Sequence, residues 1–219
     1  MVEQETEVKQ MRAAIYTLGC KVNIYESDVT SELVKNGYTI VGWEEEADVY
    51  IINTCSVTNE ADKKDRKIIN GALKRNKDAI TVVMGCHVQA GFPIEGVNIV
   101  IGNKDKSKIV KLIEEYKEKK QNITRIYDLT SADFEDMQIT NFNKHTRAFV
   151  KIQDGCNAFC TYCIIPYIRG SLRSKEENKV IAEVTSLTQK GFKEIVLTGI
   201  HTGRYGIDKE TNLYHLLTQ

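Results

Sequence analysis

No stretch of the 219 residues approaches the roughly 18 uninterrupted apolar positions of a membrane span, which argues against a helical membrane protein. The segment Met1 to Gln10 is polar and acidic and lacks the basic-then-apolar order of a secretory signal. It reads as a disordered lead-in to a cytoplasmic protein. There is no charge of either sign to spare: 30 Lys and Arg balance 30 Asp and Glu, so the chain as a whole has no electrostatic bias towards nucleic acid. Solenoid-type repeats and low-complexity tracts are also missing. What remains, 42% hydrophobic and 27% charged, is the composition of a soluble globular protein long enough for one large domain or two ordinary ones.

Charge is uneven only locally. From Glu60 to Lys77 seven Lys or Arg face three acids, and Arg169, Arg173 and Lys175 follow one another with no acid between them. Either group has the chemistry to meet phosphates, but each taken alone reads first as a solvated helix face or loop.

Cysteine, by contrast, is plentiful. Six in a chain read as cytosolic point away from disulfides and towards metal or redox chemistry. Cys156, Cys160 and Cys163 fall within eight residues; Cys20, Cys55 and Cys86 lie 35 and 31 residues apart. The apolar pattern predicts where these last three sit. Short apolar runs over Ala13 to Leu18, Val49 to Ile52, Ile80 to Met84 and Val97 to Ile101, with a weaker one over Tyr38 to Val41, read as strands. Helical stripes lie between and after them: Val29, Leu33 and Val34 before the stop at Gly37; Ile68, Ile69, Ala72 and Leu73; then Ile109, Leu112, Ile113 and Tyr116 within Asp105 to Lys120. Strands apolar throughout and alternating with helices predict a parallel sheet covered on both faces. Ligands of such sheets collect beyond the carboxyl ends of the strands, and Cys20, Cys55 and Cys86 each follow a strand end directly. A cysteine is often simply a core residue; three in one topological position point to a shared metal site.

Gln121 to Lys144 is polar and weakly patterned and reads as a linker. Beyond it, a strand from Arg147 to Ile152, the cysteine run, a helix stripe of Val180, Ile181, Val184 and Leu187, and a strand from Glu194 to Leu197 make one βαβ unit of a second parallel sheet. The C-x3-C-x2-C spacing lets one loop wrap three corners of an iron–sulfur cubane and leaves the fourth open, as a catalytic centre requires. Structural zinc wants four ligands, usually as two pairs, and a nucleophilic thiol wants a base rather than two further thiols. His145 and His87 are both read as exposed rather than as ligands.

Cys156-Asn157-Ala158-Phe159-Cys160-Thr161-Tyr162-Cys163, with an aromatic before the last cysteine, resembles the radical S-adenosylmethionine superfamily. The resemblance implies a partial barrel of βα units with a [4Fe-4S] cluster after its first strand. Its open iron would chelate S-adenosylmethionine, whose cleavage gives a 5′-deoxyadenosyl radical. Tyr162 would lie near the adenine and Gly199 on the cofactor-contacting edge. Thr17 to Asn23, Ala47 to Cys55 and Gly85-Cys86 are similar to the N-terminal domain of the methylthiotransferases, where the three cysteines, here Cys20, Cys55 and Cys86, hold a second, auxiliary [4Fe-4S] cluster. Cys55 to Asn59, Asp62 to Lys64, Lys151 to Cys156, Cys163 to Gly170 and Leu197 to Gly203 resemble the branch acting on threonylcarbamoyladenosine in tRNA. The isopentenyladenosine branch usually has glutamine–methionine where Lys21-Val22 stand, and a branch that modifies a ribosomal protein is less similar.

The expected fold is therefore α/β: a parallel-sheet, three-layer N-terminal domain over residues 12–120 after a lead-in at 1–11, a linker at 121–145, and the first βα units of an incomplete radical barrel at 146–219. The resemblance, from about Arg12 onward, implies methylthiolation of the adenine C2 of a tRNA nucleoside beside the anticodon, with tRNA and a flavodoxin- or ferredoxin-like electron donor as partners. It also implies that the rest of the barrel and a C-terminal RNA-binding domain are missing, so the activity belongs to a longer parent. Alternatives are another tRNA adenosine, a ribosomal protein, or a zinc-stabilised RNA-binding module.

Overall fold

A strand apolar on both pleat faces is stable only where both faces are covered, and Val49–Thr54 and Ile80–Gly85, buried throughout, set the architecture accordingly. The computed structural model describes residues 10–28, 30–55, 59–137 and 147–219. In chain order the first part runs β1 (Arg12–Thr17), α1 (Lys21–Glu26), α2 (Thr30–Lys35), β2 (Thr39–Val41), β3 (Val49–Thr54), α3 (Asn59–Arg75), β4 (Ile80–Gly85), α4 (Cys86–Gln89), β5 (Ile99–Ile101), a 3-10 turn (Lys106–Lys108) leading into α5 (Ile109–Lys119), and β6 (Ile123–Arg125). The strands form one parallel sheet in the order β2-β1-β3-β4-β5-β6. Val49, Ile51, Val82 and Met84 face a core shared with Tyr25, Leu33, Ile109 and Ile113. Tyr50, Ile52 and Val83 face the opposite core, with Ile69, Ala72 and Val88.

The second part runs β7 (Ala148–Asp154), α6 (Ile165–Arg169), β8 (Arg173–Ser174), α7 (Glu177–Gln189) and β9 (Ile195–Gly199). β9 pairs parallel with β7 across α7, the expected βαβ unit, and β8 pairs antiparallel on β7's other side. α1 packs between the two sheets against β7 and β9, and the Tyr25 hydroxyl donates to the Met137 carbonyl at 2.6 Å. One hydrophobic core therefore takes in side chains of both sheets, Ala13 and Ile51 with Ala148, Val150 and Ile152.

Two elements differ from the pattern-based expectation. Ile123–Arg125, inside the stretch read as linker, is a sixth strand paired with β5 from Ile99↔Ile123 onward. Only Ile123 of its three residues is buried, and a single buried position leaves no periodicity to detect. β8, at two residues, is shorter still. Val29, residues 138–144 and His145 lie outside the described residues.

Candidate functional site

The order of the first sheet reverses between β1 and β3: from β1 the chain turns outward to β2, and from β3 it proceeds the other way to β4. Crevices open at such switch points beyond the strand carboxyl ends. Cys20 caps α1 directly after β1, Cys55 follows β3, and Cys86 opens α4 after β4, so three adjacent strands deliver the three cysteines to one edge. Cys55 and Cys86 are buried, Cys20 is exposed, and none of the six cysteines forms a disulfide. Gly19, at φ +100°, lets the β1 loop lie against Cys55: a Cβ there would come within 2.8 Å of the Cys55 Cβ and 2.9 Å of its Sγ. Gly19→Ala is expected to destabilise the chain by about 1–3 kcal/mol through that left-handed backbone, and by more if Cys55 is held in place, as thermal unfolding would report.

Amide side chains fix these loops. Asn23 Nδ2 donates to the Leu18 and Thr54 carbonyls, both at 2.8 Å, tying the β1 and β3 loops together. Asn103, from the loop after β5, places its Nδ2 3.6 Å from the Cys86 Sγ and 2.8 Å from the Ile168 carbonyl. The Cys55 N–H donates to Asp65 Oδ2 at 3.2 Å. Burial pushes the Asp65 carboxyl up to about 7, against that hydrogen bond and with help from the Asp62 charge. His87, read from sequence as exposed, has 0% of its surface accessible. Its ring stacks on Phe92, with centroids 4.8 Å apart, and its Nδ1 lies 3.0 Å from Asp62 Oδ1. Burial lowers its pKa, so a neutral imidazole is favoured.

The second cysteine group occupies the loop between β7 and α6. Gly155, at φ +67°, starts it; a Cβ there would stand 1.9 Å from the Ser171 carbonyl oxygen, so no side chain fits. The Cys156 N–H donates to the Gly170 carbonyl at 3.0 Å, closing the loop at its base, and the Cys163 N–H donates to Cys160 at 2.9 Å, turning its far end. Cys156 is buried, Cys163 half-buried and Cys160 exposed. Tyr162 is 90% exposed. Gly199 ends β9 in register with Gln153, whose Oε1 accepts the His201 N–H at 2.7 Å. His201 Nδ1 in turn lies 4.0 Å from the Cys156 Sγ.

Between the two groups sits a buried ionic cluster. Arg169 Nη1 reaches Glu26 Oε1 at 2.9 Å and Asp154 Oδ1 at 3.1 Å, while its Nη2 reaches Asn23 Oδ1 at 2.8 Å. Lys151 adds bonds to Glu26 at 3.0 Å and Asp154 at 3.3 Å, Arg173 meets Asp154 at 3.2 Å, and Lys106 pairs with Glu26. A bulge between Lys151 and Gln153 accompanies the pairing of Lys151 with Asp154, three residues on in the same strand. Burial works to raise the Glu26 and Asp154 carboxyls, but the surrounding cations hold both well below the ordinary carboxylate range. Arg169, Arg173 and Lys175, read from sequence as phosphate-facing or solvated, are instead buried; Lys175 pairs with Glu183 at 2.5 Å and Asp136 at 3.0 Å. The basic run on α3 does present Lys63, Lys64, Arg66, Lys67 and Lys74 to solvent.

Two triplets of cysteines, each at a loop with a cradle in which backbone approaches closely, have the donor chemistry of iron–sulfur groups. Among the described residues no three His, Cys, Asp or Glu side chains converge as around a single metal ion. Asn23, Asn103, Gln153 and Glu26 escaped the sequence reading. The available signal was the charged pair Lys151 and Asp154 interrupting an otherwise apolar strand.

Residues 12–92 match the family described as uncharacterized protein family UPF0004. Among curated proteins, the chain is 46% identical over 213 residues to "Threonylcarbamoyladenosine tRNA methylthiotransferase MtaB" of Bacillus subtilis, covering 94% of this chain and 47% of that one. To the protein of the same name from Aquifex aeolicus it is 41% identical, covering 95% and 52%. To "tRNA-2-methylthio-N(6)-dimethylallyladenosine synthase" of Clostridium botulinum it is 36% identical, covering 91% and 46%. Among solved structures, the radical S-adenosylmethionine methyltransferase TsrM of Kitasatospora setae with cobalamin and a [4Fe-4S] cluster bound superposes with a TM-score of 0.61 at 13% identity, covering 95% of this chain and 50% of that chain. The same enzyme with tryptophan and a SAM analog bound gives 0.59 at 14% identity, covering 90% and 49%. These likenesses show the fold.

A doubly wound domain with cysteines along its carboxyl edge, leading into the opening βα unit of a second sheet, is an α/β architecture shared with those solved structures. The chain spans about half the length of the curated relatives it matches. Over more than nine tenths of its length it is similar to methylthiotransferases.

Proposed function

We propose that the protein adds a methylthio group to C2 of N6-threonylcarbamoyladenosine next to the anticodon of tRNA. The observation that carries this reading is the pair of cysteine triplets, one at the switch-point edge of the first sheet and one in the β7–α6 loop, joined through Asn103 and α6. In this reading residues 12–120 are the auxiliary-cluster domain, 121–145 its connection, and 146–219 the start of the radical domain. Cys20, Cys55 and Cys86 hold the auxiliary [4Fe-4S] cluster, and Cys156, Cys160 and Cys163 hold the catalytic one. When bound, the clusters and S-adenosylmethionine supply radical chemistry for an unactivated carbon–hydrogen bond and the sulfur to be inserted, which no side-chain acid or base provides.

The chain's own residues position and shield. The exposed ring of Tyr162 offers the cofactor's adenine a flat face beside Cys163, and Gly199 lines the strand-end edge next to the cysteine loop. Gln153 holds the His201 backbone so that its imidazole stays beside Cys156. The exposed cations of α3, which starts just past Cys55, supply phosphate contacts for tRNA. An electron donor of flavodoxin or ferredoxin type completes the system, in the cytoplasm. Among the described residues no helix is long and apolar enough to cross a membrane.

The test is nucleoside mass spectrometry of tRNA from a strain lacking the gene and from the same strain carrying it on a plasmid. Methylthiolated threonylcarbamoyladenosine is expected only in the second. Its persistence in the deletion strain, or restoration of the methylthio-dimethylallyl nucleoside instead, would assign another substrate.

A further inference from the structure

The buried ionic cluster is out of balance. Among the described residues two carboxylates, Glu26 and Asp154, pair with four cations, Lys106, Lys151, Arg169 and Arg173, all of them buried, and Glu135 acts on Lys151 only from beyond ion-pair distance. Burying a net positive charge is costly unless an anion lies nearby. Cys86, one of the three cysteines proposed to hold a cluster, lies beside this group. α4, which it opens, packs on α6, and Asn103 touches its sulfur. Asn103 cannot turn freely: Lys106 Nζ donates to its Oδ1 at 3.1 Å, which leaves the Nδ2 hydrogens for the Ile168 carbonyl at 2.8 Å and the Cys86 Sγ at 3.6 Å.

A cubane held by three thiolates is an anion, and one-electron reduction makes it more so. We propose that Arg169, Lys106 and Asn103 form the counter-charge and hydrogen-bond shell of the iron–sulfur group on Cys20, Cys55 and Cys86, so that the auxiliary site is completed by a residue from the second sheet's segment. This deepens the function proposed above and rests on it. Arg169 and Asn103 are positioning residues here: they act on the group through charge and through the Cys86 sulfur. Outer-shell partners of this kind carry about 10- to 100-fold of a site's metal affinity. Hydrogen bonds to sulfur and net local charge set cluster potentials.

The experiment uses the chain with Cys156, Cys160 and Cys163 replaced by Ala, so that the auxiliary cysteines alone take up iron and sulfide on anaerobic reconstitution. Arg169→Gln and Asn103→Leu are made in that background. Iron loss to a chelator and the reduction potential by dye titration are measured, with circular dichroism as the folding control. Each folded variant is expected to retain iron about 10- to 100-fold less well and to reduce at a more negative potential, because a cation or an N–H donor to sulfur has gone. Arg169→Lys, which keeps the charge, is expected to restore the potential more than the retention. Unchanged retention and potential in a folded variant would overturn the proposal, and Asn103→Leu keeps it testable should Arg169→Gln fail to fold. If the background chain itself takes up no iron and sulfide, the cluster reading beneath the proposal falls instead.

Discussion

Glu26→Gln is expected to lower the stability of the chain by about 3–5 kcal/mol, the usual cost of removing one partner from a buried ion group. The urea midpoint would fall accordingly with little change in slope. The Glu26 carboxylate receives Arg169, Lys151 and Lys106 at once; without it Lys106 loses its carboxylate partner, and Arg169, Lys151 and Arg173 are left to Asp154 alone. Against a typical total of about 5–15 kcal/mol, that loss removes a large fraction of the folded population. The same residues fix the acid limb of stability. Both carboxyls have folded pKa values below their unfolded ones, near 4. Their contribution is thus fully present above about pH 4 and is lost as pH falls through the depressed folded values. In Glu26→Gln, stability is expected to vary less with pH below 4 than in the parent. An unchanged acid limb would mean that other groups govern it.

Under the function proposed above, splitting the two cysteine triplets is expected to separate two activities. Replacing Cys156 by Ala should bring both S-adenosylmethionine cleavage and tRNA methylthiolation to background, while iron on reconstitution falls by about half, one cluster of two. Replacing Cys86 should cost the same share of iron and bring methylthiolation to background, yet leave reductive cleavage of S-adenosylmethionine measurable. The asymmetry follows from position: Cys156 belongs to the loop beside the exposed Tyr162 ring, whereas Cys86 lies behind Asn103 at the edge of the other sheet. Loss of cleavage in both variants would merge the two sites into one functional unit.

The strands that carry Cys20, Cys55 and Cys86 were legible because each is a run of apolar residues long enough to show that both faces are buried, as Val49–Thr54 does. Their meeting at one edge followed from the rule that parallel strands point their carboxyl ends the same way. The adjacency of β1, β3 and β4 did not follow, because strand order depends on contacts between residues far apart in sequence. β6 and β8 were too short to leave a period. Hardest to foresee was the fate of the cations. Arg169, Arg173 and Lys175 look in sequence like a surface loop, and only the tertiary fold brings Glu26, Asp154, Glu183 and Asp136 to meet them. His87 misled for the same reason, since its burial depends on Phe92 and α3 folding over it.

The joining of Glu26 to Arg169 also has a meaning in time. The two residues are 143 positions apart in the chain. At ordinary rates of synthesis, about 5–20 residues per second, the carboxylate leaves the ribosome roughly 7–30 s before its guanidinium partner. The nascent first sheet therefore waits with Glu26 held by Lys106 alone, its Lys151 and Arg169 partners still to come, on the face where α1 will later meet β7.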